Sequence, residues 1–208
     1  MSTTQTPESQ SAITPSQAIE ILKQGNVRFT SGSTTSRDYQ SQVSQTAGGQ
    51  YPIAAVVSCI DSRIPTEIVF DQGIGDIFNA RIAGNFVNED ILGSLEFACK
   101  VAGAKAIVVM GHTSCGAIKG ACDKAELGNL TQLLEKITPA VDAVETPEGA
   151  DRSSANAAFV DAVAAKNVEF TLAKIRENSS VLNEMLEANE IEIIGAMYDV
   201  ASGKVSFH

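Results

Sequence analysis

Two short apolar runs place the strongest constraint on how this chain folds. Residues 53–58 and 106–111 consist mainly of Val, Ile and Ala, and neither run alternates apolar with polar side chains. A strand with one face in water shows that alternation, whereas a strand covered on both faces does not. We therefore predict two interior strands of a parallel sheet, with helices packed on both sides.

The rest of the chain alternates in the same way between strands and helices. We expect further strands at residues 76–81, 191–198 and 204–208, the last two joined by a turn. Helices are expected at residues 90–102, from about Cys115 onward, and in interrupted form over residues 130–188. This order predicts an α/β fold. Residues 1–15 are rich in Ser, Thr, Gln and Pro and predict a flexible arm, followed by one domain over residues 16–208.

Charge and composition exclude several classes of partner. The 208 residues include 25 acidic and 15 basic side chains, a formal net charge of −10. A nucleic-acid partner or an anionic membrane surface would require a basic face, so we expect neither. No run is apolar enough to cross a bilayer and the first residues do not resemble an export signal, so a cytoplasmic location is expected.

Each apolar run is followed directly by potential metal ligands. Cys59 follows the first run, and His112 and Cys115 follow the second. Because neighbouring parallel strands end at the same edge of a sheet, these side chains should meet there. Thiolate and imidazole groups suit Zn²⁺, and three protein ligands leave one position for water. The remaining cysteines, Cys99 and Cys122, lack a partner in ligand spacing, and Cys99 lies on an apolar helix face.

Asp61 and Arg63 lie within four residues of the first proposed ligand. We expect Asp61 to orient the nucleophile that zinc makes from water, and Arg63 to clamp the carboxylate with two charge-assisted hydrogen bonds. Without that clamp, Asp61 could bind the zinc and close the site. The alternative is an ordinary solvated ion pair.

The segments Cys59-Ile60-Asp61-Ser62-Arg63 and His112-Thr113-Ser114-Cys115-Gly116, supported by residues 25–29, resemble β-class carbonic anhydrases. The resemblance extends from about Ser16 to the C-terminus. It implies a Zn²⁺ enzyme that interconverts carbon dioxide and bicarbonate, built on a mostly parallel sheet of order 2-1-3-4 with an added edge strand. It also implies a homodimer or homotetramer.

The same resemblance implies a substrate pocket. Its residues are Gln50, Phe78, Ala83 and Gly116. Phe78 and Ala83 would form an apolar wall, while Gln50 and the Gly116 N–H would donate to a bicarbonate oxygen. Gln50 is expected to reach the pocket from the neighbouring subunit.

Two departures from the family pattern affect function. Some bacterial members carry a tryptophan, part of an inhibitory bicarbonate site, where this chain has Val56. Arg81 matches the arginine of that site and is expected to be only a structural partner, so we predict an open site with Asp61 held by Arg63. Plant-type members carry a tyrosine and a histidine where this chain has Phe97 and Val101, so no imidazole is expected to shuttle protons.

Other functions fit the same residues. A hydrolase of carbon disulfide or carbonyl sulfide could use this scaffold, and so could a non-catalytic zinc or bicarbonate-sensing module. A thiol redox role is less favoured, because the sequence contains no Cys-x-x-Cys.

Overall fold

The structure is a computed structural model that describes residues 4–208. Its strands are β1 (Ala54–Ser58), β2 (Ile77–Arg81), β3 (Ala106–His112), β4 (Glu192–Tyr198) and β5 (Val205–Phe207). Its helices are α1 (Pro7–Ala12), α2 (Pro15–Thr30), α3 (Tyr39–Thr46), α4 (Thr66–Val69), α5 (Glu89–Glu96), α6 (Gly116–Cys122), α7 (Gly128–Glu135), α8 (Thr138–Ala143), α9 (Ala157–Asn178) and α10 (Ser180–Glu187).

The five strands form one sheet of order β2-β1-β3-β4-β5. The first four are parallel, and β5 pairs with β4 in the antiparallel direction. This arrangement confirms the predicted sheet, including its added edge strand. Because Ser58 lies opposite Met110 in the β1–β3 register, Cys59 emerges beside the end of β3. The register thus brings two distant segments to the same edge.

Strands β1 and β3 are buried along their whole length, as their apolar composition predicts. Their side chains alternate between two layers of core. On one side Val56 and Val108 pack with Leu22 of α2. On the other side Val57 and Val109 pack with residues of α5, α9 and α10. The sheet is therefore covered by helices on both faces, which makes its strand ends rigid supports.

The segment before α2 differs from the flexible arm that its composition suggests. Thr6 caps α1 in a capping box, and the buried Gln10 of that helix donates to the carbonyl oxygens of Pro52 (2.7 Å) and Ala102 (2.8 Å). One amide thus satisfies two carbonyls near the amino ends of β1 and β3, which attaches the segment to the sheet. A second capping box at Thr14 starts α2 at Pro15. The first three residues of the expected arm lie outside the described part.

The helix after β2 also differs in detail from the expected continuous helix. It begins at Glu89, with Asn88 as its N-cap, and its final residues, Phe97–Val101, form a π-helical turn. This turn leaves the side chains of Phe97 and Val101 largely exposed, at 50% and 72%. Within residues 4–208, no helix is both long and apolar enough to cross a membrane.

A buried carboxylate ties the polar segment after α2 to the turn after α4. Asp71, whose side chain is 2% exposed, is bonded by Arg28, Arg37 and Thr35. Burial acts to raise the pKa of Asp71, but the hydrogen bonds from Arg28, Arg37 and Thr35 outweigh it, and the pKa is lowered. The ionised form is therefore the one that stabilises the fold.

We expect Asp71→Asn to lower the free energy of unfolding by about 3 kcal/mol at neutral pH, because it leaves the buried guanidinium of Arg37 and the partly exposed one of Arg28 without their counter-charge. Because the pKa of Asp71 is lower in the folded than in the unfolded protein, where it is about 3.9, its ionised form stabilises the fold at any pH above that unfolded-state pKa. This stabilisation is lost as the pH falls through the pKa of the folded state. The difference in the free energy of unfolding between the wild type and Asp71→Asn should therefore shrink below about pH 4. Urea unfolding across pH measures this, with the exposed Asp90→Asn as control. An unchanged difference in strong acid would contradict the assignment.

Candidate metal centre

Three buried side chains converge at the carboxyl edge of the sheet. Cys59 follows β1, His112 is the last residue of β3, and Cys115 is the N-cap of α6. Their ligand atoms all lie within 4.8 Å of one another, and the two sulfurs are 3.9 Å apart. The exposed fractions are 4% for Cys59 and 0% for the other two. The structure thus brings together the three residues that the sequence predicts as ligands.

The imidazole of His112 is oriented as a metal ligand would be. Its Nδ1 lies 2.9 Å from the carbonyl oxygen of Thr113, and because a carbonyl can only accept, Nδ1 carries the hydrogen. That tautomer leaves a lone pair on Nε2. Within residues 4–208, this buried nitrogen has no hydrogen-bond partner. A buried lone pair facing two sulfurs fits a soft, four-coordinate cation such as zinc.

The contact between the two sulfurs shifts their pKa values in opposite directions. The thiol of Cys115 hydrogen-bonds to the sulfur of Cys59, which lowers the pKa of Cys59 to about 4. The same contact raises the pKa of Cys115, with burial adding to the effect. The amide groups at the start of α6 act in the opposite direction but do not outweigh these causes. The helix N-terminus alone therefore does not decide which sulfur ionises first.

Asp61 and Arg63 form the predicted bidentate pair. The Arg63 side chain donates from Nε to Oδ1 (2.9 Å) and from Nη2 to Oδ2 (2.7 Å) of Asp61. The Arg63 backbone N–H also donates to Oδ1 (2.9 Å). These hydrogen bonds hold the pKa of Asp61 well below its usual range. Oδ2 lies 4.0 Å from His112 Nε2, so the carboxylate borders the ligand cluster without entering it.

Arg81 supports this loop from the edge strand. Its Nε donates to the carbonyl oxygen of Cys59 (3.0 Å), and its Nη2 donates to that of Asp61 (2.6 Å). These contacts agree with the structural role that the sequence suggests for Arg81. Val56, at the position where some bacterial relatives carry tryptophan, is fully buried in the core between the sheet and α2.

The four pocket residues predicted from the resemblance do not all lie at the cluster. Ala83 belongs to the turn from Ile82 to Asn85, which contacts Cys59 through Gly84, and Gly116 follows Cys115 directly. Gln50 is exposed in the segment before β1. Phe78 pairs with Ala55, four residues before Cys59, which corresponds to about 13 Å along a strand. Two of the four residues are thus adjacent to the ligands of the same chain.

Phe78 instead faces the helix that follows β2. Its ring meets that of Phe97 edge to face, with centroids 6.2 Å apart. Both rings line a cavity of about 600 Å³ between β2 and α5, together with Ala55, Ala80 and Leu95. None of the three ligand residues is among the residues that line this cavity.

The other cysteines lie outside the cluster. Cys99 is buried in the core between the sheet and α5, and burial raises the pKa of its thiol to about 12. Cys122 lies at the end of α6 and is partly buried. Their positions agree with the sequence-based view that neither is a ligand.

Sequence reasoning missed the residues that hold the ligand loops from outside. Asp161 and Asn167, both on α9, hydrogen-bond to Ser114, which lies between two of the ligands, and to Gly84, in the turn that contacts Cys59. They lie about fifty residues beyond the second motif in the sequence. No local pattern marks them, because polar side chains on a long helix are ordinary.

The chain resembles known proteins over most of its length. A family model described as carbonic anhydrase matches residues 54–205. A carbonic anhydrase of Mycolicibacterium smegmatis is 36% identical over 198 residues, covering 92% of each chain. Carbonic anhydrase 2 of Mycobacterium tuberculosis is 34% identical over 199 residues, covering 91% of each.

Solved structures share the fold at lower identity. A β-carbonic anhydrase of Aspergillus fumigatus superposes with a TM-score of 0.71 at 24% identity, covering 93% of this chain and 89% of that one. One of two tetrameric β-carbonic anhydrases of Sordaria macrospora gives a TM-score of 0.68 at 24% identity, covering 81% and 89%.

Proposed function

The chain belongs to the β-carbonic anhydrase family of enzymes, and on this premise we propose that it hydrates carbon dioxide reversibly at a zinc ion held by Cys59, His112 and Cys115. The observation that supports this most directly is the buried Nε2 of His112, which faces two sulfurs and, within residues 4–208, has no hydrogen-bond partner. Bound there, zinc would supply Lewis acidity, which makes a nucleophile available from water near neutral pH.

The chain's own residues determine how that nucleophile is presented. We assign Asp61 the role of accepting its hydrogen bond, so that a lone pair points toward the carbon of the substrate. The Asp61 carboxylate is 16% exposed, at the boundary between the buried ligands and solvent. Arg63 occupies both carboxylate oxygens, which favours the open arrangement over binding of Asp61 to the metal. Ala83 and the Gly116 N–H border the space where the product forms.

We propose that a second copy of the chain completes the pocket. Strand β2 is one of the two edge strands of the sheet, and Phe78 lies about 13 Å along the strands from its own Cys59. Gln50 is exposed. A homodimer or homotetramer would let these residues serve a neighbour's site, and a solved neighbour in Sordaria macrospora is described as tetrameric. Sedimentation analysis of the purified chain tests the assembly.

Stopped-flow hydration of carbon dioxide, with zinc quantified per chain, tests the proposed function. We expect activity proportional to zinc content. Assays with carbonyl sulfide and carbon disulfide test the hydrolase alternative, which the ligand geometry does not distinguish. A zinc-loaded chain that turns over none of these gases would favour the non-catalytic sensing module.

We predict that turnover depends on external buffer. The chain has two histidines, and His112 is buried in the cluster. The other, His208, is bonded through its backbone to Gly195 of β4, three residues before the strand's end. Without a nearby imidazole, proton release requires a buffer molecule, so kcat should rise several-fold along a buffer series at fixed pH and ionic strength. A rate that stays constant along the series would contradict this.

A further inference from the structure

Two polar side chains of helix α9 hydrogen-bond to the backbone beside the ligand residues. Asp161 contacts the loop that carries His112 and Cys115, and Asn167 contacts the turn that contacts Cys59. We propose that Asp161 and Asn167 are positioning residues, which hold the three ligands in metal-binding geometry and direct a backbone N–H at the Cys59 sulfur. This inference rests on the proposed zinc site.

Asp161 stabilises a strained turn between two of the ligands. Ser114 has a φ of 55°, in the left-handed region that side-chain-bearing residues seldom adopt. It lies between His112 and Cys115, so a change in its backbone would separate the imidazole from the second sulfur. The Oδ1 atom of Asp161 accepts a hydrogen bond from the Ser114 N–H (3.1 Å). A charge-assisted bond from a rigid helix therefore offsets the strain of this turn.

Asn167 holds the turn beside the remaining ligand. Its side chain is almost fully buried, at 2% exposed, and Nδ2 donates to the carbonyl oxygen of Gly84 (2.7 Å). Gly84 has a φ of 80°, which strains any residue with a side chain, and a Cβ there would lie 2.4 Å from Ile137 Cδ1. The Gly84 N–H in turn donates to the Cys59 sulfur (3.5 Å). Asn167 thus holds Gly84, the residue whose N–H donates to a ligand atom.

Helix α9 lies directly on the strand that carries the histidine. A Cβ on Gly111, the residue before His112, would lie 2.8 Å from Val168 Cγ2 and 3.4 Å from the Ala164 carbonyl oxygen. The absence of that side chain allows the helix to approach β3 closely. Val160, Val163 and Val168 of α9 are all buried. The helix is therefore a rigid support for the two hydrogen bonds.

The hydrogen bond from the Gly84 N–H to the Cys59 sulfur also affects the charge on that sulfur. When both cysteines are deprotonated to hold a metal, the two thiolates repel each other, and a donor at one of them withdraws part of its charge. A sulfur without that donor gives more electron density to a bound metal. In a cobalt-substituted protein, this lowers the energy of the sulfur-to-metal charge-transfer absorption. A residue that only stabilises the fold would leave that absorption where it is.

The test uses the full chain loaded with Co²⁺ and needs no substrate. Absorption spectroscopy measures the charge-transfer band, and competition with a chelator measures the dissociation constant of Co²⁺. Asp161→Ala and Asn167→Leu remove the two contacts. Asn178→Ala and Glu169→Ala remove exposed side chains of the same kinds from the same helix. We expect the first pair to weaken Co²⁺ binding about 10- to 100-fold, the range for groups that orient metal ligands, and the controls to match the wild type. Asn167→Leu should also shift the charge-transfer band to longer wavelength.

Asp161→Asn provides the conservative comparison, because its amide oxygen can still accept from the Ser114 N–H, and it should restore most of the affinity. Since Asn167→Leu changes a buried position and could prevent folding, the variants of the partly buried Asp161 decide the proposal in that case. Affinities and spectra equal to the wild type, or equal losses in the controls, would overturn it. A wild type that binds Co²⁺ through its thiolates but hydrates no carbon dioxide would refute the proposed function and still allow the variants to be compared.

Discussion

Cys59→Ser is expected to abolish stoichiometric zinc binding and carbon dioxide hydration together. Serine keeps the shape of the side chain, but its hydroxyl is a poor zinc ligand, and the site would retain only His112 and Cys115. Removing an outer group that only orients a ligand lowers metal affinity by up to about 100-fold, so removing a ligand itself should lower it further. Metal analysis per chain and stopped-flow hydration measure the two effects.

Cys122→Ser is the matched control, because it makes the same chemical change at a cysteine on α6 outside the cluster. It should keep both zinc and activity. A Cys59→Ser protein with full activity would disprove the assignment of the ligands. Zinc loss with unchanged activity would separate the metal from the chemistry and would equally contradict the proposed function.

Asp61→Asn is expected to retain zinc and to lower kcat by about 100-fold, the cost of a misoriented reacting group. Asparagine has the size of aspartate, but its NH₂ cannot accept a hydrogen bond from Arg63. The bidentate pair is therefore broken and the side chain is free to turn. The ligand atoms are untouched, so metal content should equal that of the wild type.

The exposed Asp142→Asn on α8 makes the same change away from the site and should leave the rate unaltered. If Asp61→Asn turned over at the wild-type rate, the Asp61–Arg63 pair would be an ordinary ion pair, the alternative that the sequence leaves open. If the variant lost its zinc, Asp61 would be needed for metal binding, which contradicts its assigned role.

The ligand cluster could be predicted from the sequence because its elements obey strong local rules. Apolar runs without alternation must be buried on both faces, and parallel strands that neighbour each other end at one edge. Cys59 and His112 therefore had to lie near each other once residues 53–58 and 106–111 were interpreted as strands. The Asp61–Arg63 pair was predictable for a similar reason, since two residues separated by one position can meet in a short loop.

Other features had no comparable local signal. The polar composition around Gln10 is that of a flexible arm, and nothing in it shows that this side chain is buried and donates to two carbonyl oxygens. The distance of Phe78 from its own Cys59 depends on the strand register. The contacts of Asp161 and Asn167 depend on how closely α9 approaches β3, which the space beside Gly111 decides.

The sequence by itself determined the positions of the five strands along the chain, the burial of β1 and β3, and the kinds of atoms offered at their ends, because each depends on neighbours along the chain. Only the tertiary structure decided the approach of the two sulfurs to 3.9 Å and the support from α9. These depend on contacts between residues dozens of positions apart, whose energies vary over distances of an ångström or less.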